Sequence, residues 1–286
     1  MAAAAGLGYT LQYRTMAKIA FQGERGAFSE DAATKLFGTS IDSVPCMRLK
    51  EVFELVSQNK VDFGLVPLEN SQAGSINDTY DLLLTYPLNI FAEVILRVSH
   101  YLMALPGEKL EDIRTIYSHP QALAQCADFL GRLNAEIMPS YDTAGSAKMI
   151  KEKKLTNCAA IASKRAADIY GLEILAPEIE TSANNYTKFV AISRQKAKPA
   201  QRNKTSLVFG TEHKPGSLYR ILGIFATRNI NLAKLESRPS RIKPWEYVFY
   251  ADFEGHLDGE VYQQAMRELQ RETTFIKILG SYPQAT

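Results

Sequence analysis

From residue 18 onward the chain alternates short apolar runs with stretches of helical spacing, and no other feature constrains its fold as strongly. A strand that is apolar throughout needs cover on both faces. Helices placed between successive strands supply that cover and leave the strands parallel. Residues 18–21 (Lys-Ile-Ala-Phe) read as a buried strand, followed by a turn with Gly23 and Gly26. Ser29 is the expected cap of a helix to residue 37, with Glu30 and Asp31 at its positive end. Helices follow over 49–58 and 76–84 around a strand at 62–67, and residues 90–105 form one long, apolar, β-rich run. Strands are then expected at 115–118, 135–138, 158–162 and 187–193, with helices at 120–133, 143–153 and 164–170. This is an α/β domain with helices packed on a mostly parallel sheet.

The pattern changes at residue 195. Residues 195–204 carry Lys196, Lys198, Arg202 and Lys204 with Pro199 and no apolar side chain larger than Ala, so they read as a solvated linker. Beyond it, strands over 205–210, 230–237, 245–253 and 275–281 alternate with helices over 216–228 and 258–271. Trp245, Tyr247, Phe249, Ala251 and Phe253 share one expected strand face. The order β-α-β-β-α-β is that of a ferredoxin-like unit. The expected division is a disordered extension over 1–16, a first domain over 17–194, a linker over 195–204 and a second domain over 205–286.

Two domains suit 286 residues at roughly 150 residues each. Thirty-three Lys and Arg against thirty-one Asp and Glu leave a net charge of +2, which gives no reason to expect nucleic acid or a membrane surface as partner. Charges also interrupt the apolar runs before the ~18 residues a membrane span needs. Cys46, Cys126 and Cys158 form no C-x-x-C pair, and none of His100, His119, His213 and His256 stands four residues from another. That leaves no zinc spacing and no disulfide framework, and the thiols are expected to be reduced in a cytoplasmic protein. Residues 1–15 hold an Ala run, Arg14 and no acid; they are acid-poor like an organelle transit segment but short, and read as an extension before a second start at Met16.

In open α/β sheets, ligands sit beyond the carboxyl ends of the strands, where helices begin. Four expected strand ends carry polar clusters: Glu69-Asn70-Ser71, Ser118-His119-Pro120-Gln121, Asp142-Thr143-Ala144-Gly145-Ser146 and Asn185-Tyr186-Thr187-Lys188-Phe189. Two of them run directly into helices, whose free N–H groups and positive ends suit a carboxylate or phosphate. Each cluster also has a purely structural explanation. Ser118 or His119, and Asp142 or Thr143, can cap helices, Glu69 can be a solvated turn residue, and Gly145 can mark close packing. Four such clusters at equivalent ends point to a polar, anion-favouring cleft. There is no Walker loop, G-x-S-x-G elbow, H-E-x-x-H or Rossmann glycine fingerprint, so the expected ligand is a small anion, bound without cofactor or metal.

The string from Gly23 to Ser29, Val66-Pro67-Leu68-Glu69-Asn70-Ser71, Ser118-His119-Pro120-Gln121-Ala122-Leu123, Tyr141-Asp142-Thr143-Ala144-Gly145-Ser146-Ala147 and Ala160-Ile161-Ala162-Ser163 occur in that order. Together they closely resemble the prephenate dehydratase family. Gly216-Ser217-Leu218 and Glu236-Ser237-Arg238-Pro239 resemble the two phenylalanine-binding motifs of that family's ACT domain. The resemblance covers residues 17–283. It implies a two-lobed, periplasmic-binding-protein-like catalytic domain whose chain crosses between lobes near Arg97 and Glu180, followed by the ACT unit. It also implies conversion of prephenate to phenylpyruvate with loss of CO₂ and water, in phenylalanine biosynthesis.

By the same resemblance Thr187 would hydrogen-bond the leaving oxygen, a role worth about 10²–10⁴-fold. Glu69, Asn70 and Ser71 would complete the catalytic set. Ser118, His119, Gln121, Thr143, Gly145 and Ser146 would bind substrate, with Lys188 as the cation and Phe189 as the wall of the ring. Lys188 stands where the family usually has Arg, so the charge is kept but the two-pronged grip on a carboxylate is lost. Gly216, Ser217, Leu218, Glu236, Ser237, Arg238 and Pro239 would bind L-phenylalanine as an allosteric inhibitor, with Ser217 in place of a more usual Ala. ACT units typically pair side by side, which implies a homodimer or homotetramer. Three other readings stay open: an arogenate dehydratase, a prephenate decarboxylase that does not aromatise the ring, and a non-catalytic amino-acid-responsive binding protein.

Overall fold

The computed structural model describes residues 16–239 and 247–285. The chain begins with β1 (Ala17–Gln22), α1 (Phe28–Phe37), β2 (Ile41–Cys46), α2 (Leu49–Ser57), β3 (Phe63–Asn70), β4 (Gly74–Ser75), α3 (Asn77–Thr85) and β5 (Asn89–Arg97). It continues with β6 (Tyr101–Ala104), β7 (Thr115–Ser118), α4 (Pro120–Gln125), α5 (Ala127–Leu130), β8 (Glu136–Pro139), α6 (Thr143–Lys153), β9 (Cys158–Ala162), α7 (Lys164–Tyr170), β10 (Glu173–Ala176) and β11 (Tyr186–Ser193). The last elements are β12 (Asn203–Gly210), α8 (Ser217–Ala226), β13 (Leu232–Pro239), β14 (Tyr247–Glu254), α9 (Glu260–Glu272) and β15 (Phe275–Pro283).

Three sheets result, ordered β2-β1-β3-β11-β5 with β4 on β3, β10-β6-β9-β7-β8, and β13-β14-β12-β15. In the first two, β1 pairs parallel with β2 and β3, and β7 parallel with β8 and β9, as the alternation of strands and helices requires. The third is antiparallel throughout. The mixed α/β class and the β-α-β-β-α-β order of the last segment are those expected from the sequence. The described residues fall into two compact units: those up to 79 with 94–189, and 80–93 with 190 onward.

Several local expectations need correction. Ser29 does not cap α1; Ala27 holds that position without a side-chain bond, and Ser29 lies buried in the first turn. The run 90–105 is two strands in two sheets, because both halves are apolar and periodicity cannot mark where a chain changes sheet. The break is held by Val98 N–H on the Asn185 carbonyl (2.8 Å) and Ile179 N–H on the His100 carbonyl (2.9 Å). Arg97 adds ion pairs to Glu178 and Glu180, both at 3.4 Å, where the chain crosses out and back. The helix over 120–133 divides at Cys126, whose φ of −107° leaves helical geometry. Strands β2, β4 and β10 lie outside every strand expected from the sequence; β2 is an edge strand carrying Asp42 and Pro45, residues that edges tolerate. Strand β13 continues through Pro239. The extension over residues 1–15 and the strand residue Trp245 lie outside the described residues.

In the second unit, the central strands β12 and β14 are buried on both faces. Phe209, Ala251 and Phe253 pack with Ile221, Phe225 and Leu269 of α8 and α9. On the other face Tyr80 of α3 meets Tyr250 edge-on at 4.8 Å, with Lys234 Nζ 4.9 Å from the Tyr80 ring centroid. Lys277 Nζ donates to the carbonyls of Leu83, Leu84 and Tyr86 at 2.8, 2.9 and 2.7 Å, closing the C-terminal end of α3. Cys46 and Cys126 are buried free thiols, pushed up to about 11 and about 12 by desolvation.

Candidate active site

A cleft of about 260 Å³ opens within the first unit. Phe28 and Ser29 reach it from the start of α1, Asn70 from the end of β3, and residues 73–76 from the turn that follows. Gln121 and Gln125 come from α4, Thr143 from the start of α6, and Thr187 and Phe189 from β11. Pro67, Ala122, His119, Val98 and His100 complete the wall, the last two from the segment that crosses between sheets.

The polar centre is built on Asn70. Its Oδ1 accepts the backbone N–H groups of Gln72 and Ala73 at 3.0 and 2.9 Å, so its amide nitrogen must face the other way. That nitrogen donates to Asn185 Oδ1 (2.9 Å), the Tyr186 carbonyl (3.2 Å) and Thr187 Oγ1 (3.0 Å). Because the Thr187 oxygen accepts this bond, the hydroxyl hydrogen is left to donate elsewhere. Thr187 is buried in the cleft wall, so a ligand oxygen is the natural acceptor.

Two helix starts are capped by their own residues. His119 Nδ1 accepts the Gln121 N–H at 3.2 Å, and Asp142 Oδ1 accepts the Gly145 N–H at 2.7 Å. Burial raises the Asp142 carboxyl above its ordinary value, opposed mainly by the Gly145 hydrogen bond.

Of the residues singled out from the sequence, the fold brings Asn70, His119, Gln121, Thr143, Thr187 and Phe189 to the cleft. Six others make bonds that hold the fold and do not line the cavity. Ser118 is fully buried and donates to the Ile161 carbonyl (2.7 Å), and Ser146 donates to the Asp142 carbonyl (2.8 Å). The Gly145 N–H is spent on Asp142. Ser71 Oγ bridges β3 to β11, donating to the Asn184 carbonyl at 3.1 Å and accepting the Tyr186 N–H at 2.9 Å. Lys188 Nζ pairs with Glu69 Oε2 at 3.0 Å outside the cavity. For Lys188 the cause is the two-residue period of a strand: with Thr187 and Phe189 on the cleft face, Lys188 takes the other.

His100 and Gln125 are cleft residues that the sequence reading missed. Gln125 had a usable signal, since it stands one helical turn after Gln121 on the same face. His100 had none, because it lies in the crossing segment, remote from every polar cluster.

In the second unit, Gly216 precedes α8 at φ 82°, a left-handed conformation that a side chain disfavours. Strand register pairs Arg238 with Val248, and Val248 with Gly210, which leads into the Gly216 turn. Gly216-Ser217-Leu218 and Glu236-Ser237-Arg238-Pro239 therefore sit at one end of the sheet. Arg238 is not solvated: Nη1 lies 3.5 Å from Asp81 Oδ1 and its guanidinium 5.7 Å from the Tyr250 ring centroid. Glu236 Oε2 lies 3.1 Å from Lys234 Nζ on that same strand face, while Ser237 and Pro239 are exposed on the opposite one. Ser217 is buried, and Leu218 packs on the core between sheet and helices.

Residues 19–197 match the family model described as prephenate dehydratase, and residues 205–271 match that of the ACT domain. An Arabidopsis thaliana protein named arogenate dehydratase/prephenate dehydratase 2, chloroplastic, is 44% identical over 277 residues, covering 93% of this chain and 72% of that protein. The structure of prephenate dehydratase in complex with L-Phe from Arthrobacter aurescens superposes with a TM-score of 0.85 at 32% identity, covering 93% of this chain and 89% of that one. GqqA, described as a novel type of quorum quenching acylase, superposes with the same TM-score of 0.85 at 34% identity, over 93% of this chain and 98% of that one. With matches of this extent in both parts of the sequence, the chain belongs to the prephenate dehydratase family of carbon–oxygen lyases and carries that family's ACT domain.

Proposed function

We propose that this protein converts prephenate to phenylpyruvate and that L-phenylalanine inhibits it through the ACT domain. The observation that carries the reading is Thr187, whose oxygen is held by the Asn70 amide so that its hydroxyl hydrogen can donate within the cleft. As the ring carboxylate leaves as CO₂, its bonding electrons enter the ring and the C4–O bond breaks. The prephenate dianion thus yields CO₂, the phenylpyruvate anion and hydroxide, and charge balances. A hydrogen bond from Thr187 to the departing oxygen stabilises charge as it forms, which is where a fixed dipole lowers the barrier. The amides of Gln121 and Gln125 and the Thr143 hydroxyl offer further neutral donors for the substrate's carboxylates. Phe189 supplies an apolar face for the ring.

Arogenate carries the same ring, hydroxyl and leaving carboxylate and differs only in an ammonium on the side chain. The relative whose name joins both substrates supports testing both. L-phenylalanine as effector is supported by the ACT match and by the relative solved with L-Phe. Strand β13 lies at the edge of its sheet with Leu235 exposed, which favours pairing with a second copy in a homodimer or homotetramer. The test is turnover of prephenate and of arogenate, with and without L-phenylalanine, on wild type and Thr187→Ala. Product that L-phenylalanine suppresses and the substitution abolishes would support the reading. A folded wild type that turns over neither compound would overturn it in favour of a binding protein, and loss of CO₂ without an aromatic product would favour the non-aromatising decarboxylase.

A further inference from the structure

The amide chain in the cleft has a direction, and backbone fixes one end of it. Gln72 and Ala73 N–H groups hold Asn70 Oδ1, so the Asn70 nitrogen faces Asn185 Oδ1 at 2.9 Å. Asn185 is then turned so that its own nitrogen donates to Gln125 Oε1 at 3.1 Å. The same Gln125 oxygen lies 2.8 Å from His100 Nε2. An amide oxygen can only accept, so His100 must carry its hydrogen on Nε2. With both lone pairs of that oxygen taken, the Gln125 NH₂ is the uncommitted end of the side chain, and Gln125 lines the cleft.

Packing sets the place of the His100 ring. It is 2% exposed, meets Phe28 edge-on at 5.5 Å, and its backbone N–H donates to Glu180 Oε2 at 2.9 Å. Its Nδ1 is buried and has no hydrogen-bond partner among the described residues, so Nε2 is the ring's working atom. Burial also holds its pKa below the ordinary histidine value, which favours the neutral ring.

We infer that His100 is a positioning residue: its Nε2–H, together with Asn185, locks the Gln125 amide so that the NH₂ is offered to an anionic oxygen of the ligand. The inference rests on the dehydratase reading only for the identity of that ligand. Without the imidazole, one lone pair of Gln125 is released and the amide can rotate, so the donor is no longer held in place for binding.

The first test uses ¹⁵N-labelled full-length protein at pH 7, where the His100 resonances should report Nε2–H and a bare Nδ1. The second is kinetic. His100→Leu should raise KM about 10-fold or more with kcat within about 3-fold, as expected when one hydrogen bond to a charged group is lost. His100→Gln places an amide N–H close to where Nε2 stands and should restore KM to within about 3-fold of wild type. Melting temperatures separate this from a general loss of packing, which would lower stability in both variants without rescue. A ring found as Nδ1–H, an unchanged KM in a folded Leu variant, or equal impairment of both variants would overturn the assignment. If the Leu variant does not fold, the tautomer and the Gln variant's KM decide. If wild type turns over neither prephenate nor arogenate, the functional reading fails, while the tautomer still judges the role of His100.

Discussion

The two units each bury a polar network, and the two differ in kind. The cleft network is neutral: Asn70, Asn185, Gln125, His100 and Thr187 pass hydrogen bonds from one to the next and leave donors over for a ligand. The network in the second unit is charged and closed. Lys204 Nζ sits 2.9 Å from both oxygens of Glu93, the side chains 6% and 2% exposed, and the Ala285 N–H donates to the same carboxylate at 2.9 Å. Beside it Ser206 Oγ donates to Asp252 Oδ1 at 2.6 Å and lies 2.7 Å from the Tyr282 hydroxyl. Burying a charge is tolerable only when it is fully paired, so this cluster has nothing left to offer a ligand. Neutral amides are cheaper to bury and can be left half-engaged. The difference separates a network suited to binding from one that specifies packing.

The largest expected effect falls on the cleft. Thr187→Ala should lower kcat by about 10²–10⁴-fold with the melting temperature nearly unchanged, checked by steady-state turnover and calorimetry. The charged cluster should show the opposite profile. Lys204→Met leaves the Glu93 carboxylate buried and unpaired, a loss of about 3–5 kcal/mol in denaturant unfolding. Adding Glu93→Leu should recover most of that loss, and a double variant no more stable than the single one would show that the pair does more than compensate itself.

A smaller effect concerns pH. Burial raises the folded carboxyl of Asp142 above its unfolded value, so ionisation favours the unfolded chain. The resulting penalty is absent below the unfolded pKa of about 4 and is fully present once the pH exceeds the raised folded value. Asp142→Asn keeps an acceptor for the Gly145 N–H and removes the charge. Its stability relative to wild type should therefore be higher at pH 7 than at pH 3 in parallel urea titrations. The smallest change is expected outside the cavity. Lys188 and Glu69 are partly exposed, so Lys188→Arg should alter stability by less than about 1 kcal/mol and KM by a few-fold.

Much of the fold is legible because burial imposes a period. The unbroken apolar run of Cys158–Ala162 and the alternation through Phe249, Ala251 and Phe253 had only one way to be covered. Site residues were legible as clusters but not as individual roles. Ser118 and Thr187 look equally suitable in the sequence, yet one hydroxyl is spent on the Ile161 carbonyl and the other is held ready in the cleft. Lys188 and Glu69 sit within the clusters, but strand alternation turns Lys188 away from the cavity and Glu69 is its ion-pair partner. Gln125 was reachable by helical spacing from Gln121, whereas His100 depended on a sheet crossing in a run that is largely apolar on both sides of it.

By itself, then, the order of strands, helices and polar strand ends determined the mixed α/β class, the C-terminal β-α-β-β-α-β unit and the family. Those properties follow from periodicity and local motif, which are written along the chain. The tertiary structure alone decided which donors remain unspent. That depends on partners far apart in sequence, such as Asn70 with Asn185 and His100 with Gln125, and a hydrogen-bond donor is available to a ligand only after the fold has used the others.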